Sequence, residues 1–222
     1  MALQLAVAAA PRPTAAVADS ALAFPVRRIF CVGRNYAEHS REMGATDLKA
    51  PPFFFTKPPE AVVASGGVVP FPARTQDLHH EIELVVAVGE RREIFGYAAG
   101  IDLTRRDVQL KLKEAGKPWD TAKGFEHSAP LSAIAPAAAI GHPARGRIWL
   151  EVNGQMRQDG DIADMIWGVP EILAELATWF ELQSGDLVFT GTPAGVGPLR
   201  PGDRVRGGVD GVGVLEVTMA SQ

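Results

Sequence analysis

His79-His80-Glu81-Ile82-Glu83-Leu84-Val85-Val86-Ala87-Val88 is the stretch on which the fold turns. Its second half is β-branched and apolar, with no Gly or Pro before Gly89, so it reads as a strand. Side chains alternate along a strand, so Glu81 and Glu83 face the same way, about 6.6 Å apart. Two carboxylates at that spacing beside an apolar run repel each other unless something positive lies between them. A divalent cation is the simplest candidate. The alternative is two acids on the solvated face of an edge strand, and this stretch alone does not choose.

Downstream, Gly89-Glu90-Arg91-Arg92 is a polar turn, and Phe95 to Ile101 reads as the neighbouring strand. It ends at Asp102, which either joins Glu81 and Glu83 or is a turn residue. Three oxygen ligands with no Cys nearby suit Mg²⁺ or Mn²⁺, and Ca²⁺ less well. His79 and His80 lack the spaced Cys/His pattern of a zinc site. Thr104, with Asp107 three residues on, reads as the cap of a helix reaching Ala115 and stopped by Gly116. Arg106 and Gln109 lie on that helix. Pro118 to Phe125 has no periodicity. Lys123 within it could bind an anion, although a solvated lysine is the ordinary expectation.

Upstream, Phe24 to Val32 reads as a strand entering Gly33-Arg34-Asn35-Tyr36. Asn35 with Glu38 resembles a capping box for a short helix over 36–43. His39 and Glu42 share a face of it. A His beside a carboxylate is the minimum equipment of a general base, and an exposed surface pair has the same spacing. Prolines exclude a helix across 45–78, and Phe53-Phe54-Phe55 is assigned to the core. Towards the end, Asn153-Gly154 signals a hairpin after a strand over 146–152. Pro170 opens a helix to about Leu182 with Ile172, Leu173, Leu176, Trp179 and Phe180 facing the core. A buried strand over 187–190 runs into Gly191-Thr192-Pro193-Ala194-Gly195-Val196-Gly197. That loop offers N–H groups to an anion but lacks the Lys-Ser/Thr of a phosphate loop. A final hairpin turns at Asp210-Gly211.

The 222 residues carry a net charge of −4 and no basic cluster, which argues against nucleic acid as a partner. Abundant Gly and Pro favour short strands and turns. The single Cys31, in an apolar run, excludes a disulfide framework, is expected to be buried, and suits a reducing, cytoplasmic setting. No apolar run reaches the roughly 20 residues of a membrane span. Residues 1–22, broken by Pro11 and Pro13, read as a poorly ordered or peripheral arm, and 23–222 as one domain.

Gly33-Arg34-Asn35-Tyr36 with His39 and Glu42, His80-Glu81-Ile82-Glu83, Asp102-Leu103-Thr104, Pro118-Trp119 with Lys123, and Gly191 to Gly197 occur in the order of the fumarylacetoacetate hydrolase superfamily, which the chain resembles over about 24–217. Pro118 to Thr121 and Phe125 to Pro130 look most like its fumarylpyruvate and acylpyruvate hydrolases. The resemblance implies an α+β, predominantly β fold, a mixed β-roll with a few short helices, and a homodimer. It implies Glu81, Glu83 and Asp102 as metal ligands for Mg²⁺ or Mn²⁺, and His39 with Glu42 as a water-activating dyad. It places Lys123 with the catalytic groups, and Arg106, Gln109 and Thr192 against a small diketo-acid substrate. The connection from Glu83 to Asp102 is shorter than the family usually has, so its hairpin must be tighter. Isomerases of 2-hydroxy-dienoic acids and oxaloacetate decarboxylases or tautomerases share the fold and remain alternatives, as does a non-catalytic metal-binding protein.

Overall fold

In chain order the elements are β1 (Thr14–Ala16), β2 (Ala23–Pro25), β3 (Arg28–Gly33), α1 (Ala37–Glu42), β4 (Phe53–Lys57), β5 (Val62–Ala64), β6 (Val68–Val69), β7 (Leu78–His80), β8 (Ile82–Val88), β9 (Ile94–Ile101), β10 (Thr104–Arg105), α2 (Arg106–Glu114), α3 (Asp120–Lys123), β11 (Ala129–Leu131), β12 (Ala135–Pro136), α4 (Ala137–Ile140), β13 (Arg147–Val152), β14 (Gln155–Asp161), α5 (Val169–Trp179), β15 (Asp186–Phe189), β16 (Gly197–Leu199), β17 (Arg204–Val209) and β18 (Gly213–Met219). They come from a computed structural model that describes residues 5–42 and 51–221, the side chains of 40–42 excepted. This is the mixed, predominantly β architecture expected. An eight-stranded sheet runs β4-β3-β15-β8-β9-β11-β5 with β12 on β9, and a five-stranded sheet runs β14-β13-β17-β18-β6. A three-stranded sheet, β10-β7-β16, and the β1-β2 ribbon complete the set. No helix among the described residues is long and apolar enough to cross a membrane.

Strand β8 is apolar on both faces because both are covered. Ile82, Leu84, Val86 and Val88 pack with Ile148, Leu150, Val205 and Leu215 of the five-stranded sheet. Val85 and Ala87 join Ile29, Cys31, Leu187 and Phe189, with Ala15, Val17 and Phe24 from the N-terminal ribbon. Residues 14–17, read from sequence as part of a peripheral arm, thus contribute a strand and two core side chains. Their small Ala and Val residues gave too little strand signal between the flanking polar and proline positions.

The short connection after Glu83 is a tight hairpin. Arg91 and Arg92 both take positive φ, 52° and 66°, in the turn, and β9 returns in antiparallel register with Glu83 opposite Gly100 and Ile82 opposite Ile101. The pairing extends one step further, as Asp102 N–H donates to Glu81 O at 2.8 Å. Hairpin geometry therefore sets Asp102 beside Glu81.

Three local expectations give way to longer-range contacts. The Asn35 side chain does not cap α1. Its amide donates to Trp167 O and Thr190 O at 2.9 and 2.8 Å, and its oxygen accepts from Trp167 N–H. Thr104 does not cap α2 either: Arg105 holds that place, and Thr104 is buried in β10. Helix α5 stops at Trp179, so Trp179 is 70 % exposed and Phe180 39 %, while Ile172 and Leu176 are the buried side chains.

Asp186, fully buried at the start of β15, accepts from Arg27 and Arg28 and from Gln183 N–H at 2.9 Å. Those arginines keep about a third of their side-chain surface in water, so losing the acid does not strand them as buried charges. Asp186→Ala is expected to cost about 1.5–3 kcal/mol, the scale of charge-assisted hydrogen bonds. Urea unfolding with an unchanged slope would measure it. A loss below about 0.5 kcal/mol, the level of an ordinary surface substitution, would reject this account.

Candidate metal and substrate site

Glu81, Glu83 and Asp102 converge. Each presents one carboxylate oxygen within 4.8 Å of the others, and all three are buried. Alternation along the chain aims the two glutamates together, and the hairpin supplies the aspartate. The alternative of a solvated edge strand is excluded, since β8 lies between β15 and β9.

Three cations meet these acids, unevenly. Lys123 donates to Glu81 Oε2 at 2.8 Å and to Asp102 Oδ2 at 2.6 Å. Arg106 pairs with Glu81 Oε1. Lys57 lies 2.8 Å from Asp102 Oδ1. Its hydrogen bonds go to Leu103 O at 3.1 Å, Ser128 Oγ at 3.0 Å and Lys123 O, so Asp102 Oδ1 receives no aligned hydrogen bond and keeps its lone pairs. Glu83 accepts the Gly191 N–H at 2.6 Å.

Electrostatics follow from that distribution. Burial alone would raise the Glu81 carboxyl, but Lys123 and Arg106 outweigh it and hold it well below the usual range. For Glu83, burial and then the charges of Asp102 and Glu81 push the carboxyl well above that range. Lys123 loses hydration, yet Asp102 and Glu81 raise its ammonium above its ordinary value. A hard divalent cation fits this donor set: three buried oxygens, one without a hydrogen bond and one lacking a close countercharge.

One face of the cluster opens into a cavity lined by Arg34, His39, Phe53, Phe55, Gln109, Trp119 and Thr192, together with Glu81, Arg106 and Lys123. His39 comes from α1, and its charge would reach Glu81. Gln109 Oε1 accepts from Arg106 Nη1, which leaves its amide N–H groups for the cavity. The aromatic wall is built from both ends: Trp119 meets Phe53 and Phe55 edge-on, with ring centroids 5.2 and 6.0 Å apart. Gly33 makes room for that wall, because a Cβ there would lie 2.1 Å from the Phe53 ring.

The site residues expected from sequence therefore meet at one place, except that the Glu42 side chain lies outside the described residues. Phe53 and Phe55 are corrected from core to cavity wall: they sit on an edge strand, where alternate residues face the site. Lys57 and Gln158 were missed. Lys57 follows an aromatic run with no polar pattern around it. Gln158 sits in the exposed-looking sequence Arg157-Gln158-Asp159, yet is fully buried. Cys31 is free and buried, as expected.

A family model described as the C-terminal domain of fumarylacetoacetate hydrolase matches residues 28–220. The mitochondrial oxaloacetate tautomerase of Mus musculus is 43 % identical over 196 residues, 84 % of this chain and 88 % of that protein. The fumarylpyruvate hydrolase of a Ralstonia species is 44 % identical over 177 residues, 75 % of this chain and 92 % of that protein. Among solved structures, fumarylpyruvate hydrolase from Pseudomonas aeruginosa, in complex with Mn²⁺ and pyruvate, superposes with a TM-score of 0.95 at 43 % identity, covering 99 % of this chain and 100 % of that one.

Proposed function

The chain belongs to the fumarylacetoacetate hydrolase family, and on that premise we propose that it is a divalent-metal-dependent hydrolase of 2,4-diketo acids, with fumarylpyruvate as substrate and pyruvate and fumarate as products. The observation that carries this reading is that one cavity presents His39, Lys123 and Gln109 to the same space as Glu81, the member of the acid cluster that lines it. A base, oxyanion donors and a cation site are what hydrolytic carbon–carbon cleavage needs together. The aromatic wall of Phe53, Phe55 and Trp119 favours a flat unsaturated acyl group. Arg34, whose guanidinium lies 5.9 Å from the Phe53 ring centre, is placed on that wall for the far carboxylate.

Glu81, Glu83 and Asp102 would hold Mg²⁺ or Mn²⁺, which would supply Lewis-acid polarisation and a fixed positive charge against the keto acid. The protein does the rest. His39 takes a proton from water, and the oxygen forms a bond to the distal carbonyl carbon. Lys123 and the Gln109 amide donate to the oxyanion as it develops, an effect worth about 3–4 kcal/mol per donor in other enzymes. Arg106 holds Glu81 and Gln109 in place for this. The bond between that carbon and the methylene of the pyruvyl unit then breaks. The electron pair stays on the methylene carbon, which takes the proton from His39, leaving pyruvate and a carboxylic acid.

A second reading is oxaloacetate tautomerase, favoured by the 43 % identity to proteins of that name. It needs only the proton transfer and makes no use of the aromatic wall. The discriminating experiment follows loss of enol absorbance for fumarylpyruvate and oxaloacetate, with and without chelator, and identifies products by mass spectrometry. Metal-dependent release of fumarate and pyruvate is expected. Rapid oxaloacetate enol–keto exchange with no cleavage of fumarylpyruvate would replace the proposal with the second reading.

A further inference from the structure

Gln158 lies on β14 of the five-stranded sheet, yet its carboxamide reaches two parts of the site belonging to other sheets. It is fully buried and makes four hydrogen bonds. Oε1 accepts from Ile82 N–H at 3.1 Å, between Glu81 and Glu83, and pairs with His80 Nδ1 at 2.9 Å. Nε2 donates to Thr192 Oγ1 at 2.8 Å and to Pro193 O at 2.9 Å. All the bonding capacity of the amide is used.

The amide has one orientation. Ile82 N–H can only donate and Pro193 O can only accept, so the oxygen must face Ile82 and the nitrogen Pro193. Two consequences follow. His80 must carry its proton on Nδ1. Thr192 must accept from Gln158, so its own hydroxyl hydrogen points elsewhere. Among the described residues no acceptor takes that hydrogen, and Thr192 lines the cavity beside Glu81 and Lys123. Glycines make the approach of loop and strand possible. A Cβ at Gly195 would lie 2.2 Å from Arg157 O, and one at Gly160 2.9 Å from Pro193 Cβ.

We propose that Gln158 is a positioning residue that fixes Thr192 as a hydrogen-bond donor into the cavity, where it binds an oxygen of a 2-oxo acid. The inference rests on the function proposed above for the class of ligand, but not on cleavage. With Gln109 also presenting its N–H groups, the polar lining around the acid cluster is donor-rich, so the site selects oxygen acceptors such as carboxylate and enolate.

The test is a cycle in the Mn²⁺-loaded protein with pyruvate as the probe, read by calorimetry. Gln158→Glu replaces the donating nitrogen with an oxygen that can take the Thr192 hydrogen. It is expected to weaken pyruvate about tenfold, the upper end for one lost hydrogen bond. The same change in a Thr192→Ser background should weaken it similarly, since the hydroxyl remains. In a Thr192→Val background it should change affinity by less than about twofold, because the two residues act as one unit. Gln158→Met, an apolar residue of similar length, repeats the cycle if the glutamate variant does not fold. Equal weakening in the Val background, or none in the otherwise unchanged protein, would overturn the proposal. Because pyruvate binding is the readout, a failure to cleave fumarylpyruvate would count against the proposed function and leave this result standing on its own.

Discussion

Glu83→Gln is expected to lower Mn²⁺ affinity by at least about a hundredfold and kcat/KM by about a thousandfold. Changes to groups that merely support metal ligands already cost 10–100-fold in affinity, and a ligand costs more. The substitution is nearly isosteric, and the amide oxygen can still accept the Gly191 N–H. Stability should respond in the opposite sense. Burial and the charges of Asp102 and Glu81 push the Glu83 carboxyl up, so in the metal-free protein its charged form is unfavourable and a neutral amide relieves that. Melting in chelator should therefore show the variant at least as stable as the parent, and the parent alone should gain stability when Mn²⁺ is added. Manganese affinity within about threefold of the parent would remove Glu83 from the cation site, since it lies below the smallest effect seen for supporting groups.

His39→Ala is expected to lower kcat by about 10²–10⁴, the contribution of a positioned general base, with little change in metal affinity. The imidazole lies in the cavity wall on α1 and is not one of the converging oxygen donors. Mn²⁺ binding and the melting temperature are thus the controls. Steady-state kinetics on fumarylpyruvate, followed by loss of enol absorbance, supplies the measurement. Turnover within a few-fold of the parent would exclude His39 as the group that activates water.

How much of this was legible beforehand depended on whether the signal was local. Glu81 and Glu83 could be read because a period of two is a property of the strand itself, and the apolar run announced the strand. The tight turn and the strand after it led to Asp102 by simple pairing. Lys57 and Gln158 could not be read this way. Their significance comes from contacts 46 to 76 positions distant, with Leu103 and with Ile82, and nothing in the neighbouring residues marks them. The same cause explains the misreadings. Asn35 has the residue type and spacing of a helix cap, but bonds to Thr190 and Trp167 satisfy its amide better. The Phe triplet is apolar enough for the core, yet only its place on the outermost strand shows that two of its rings border a cavity. Ordered motifs shared with a known family carried His39, Lys123 and Thr192 further than spacing alone could.

Glu83 stands on β8, with Glu81 just before it and Asp102 just past the end of β9; β8 has a hydrogen-bonded neighbour on each side and a packed core on both faces. By contrast, Phe53 and Phe55 stand on β4 at the margin of that sheet, and Trp119 lies just before a four-residue helix. A shift of the backbone that carries the acids would disturb both cores, whereas a shift in the aromatic half disturbs little beyond itself.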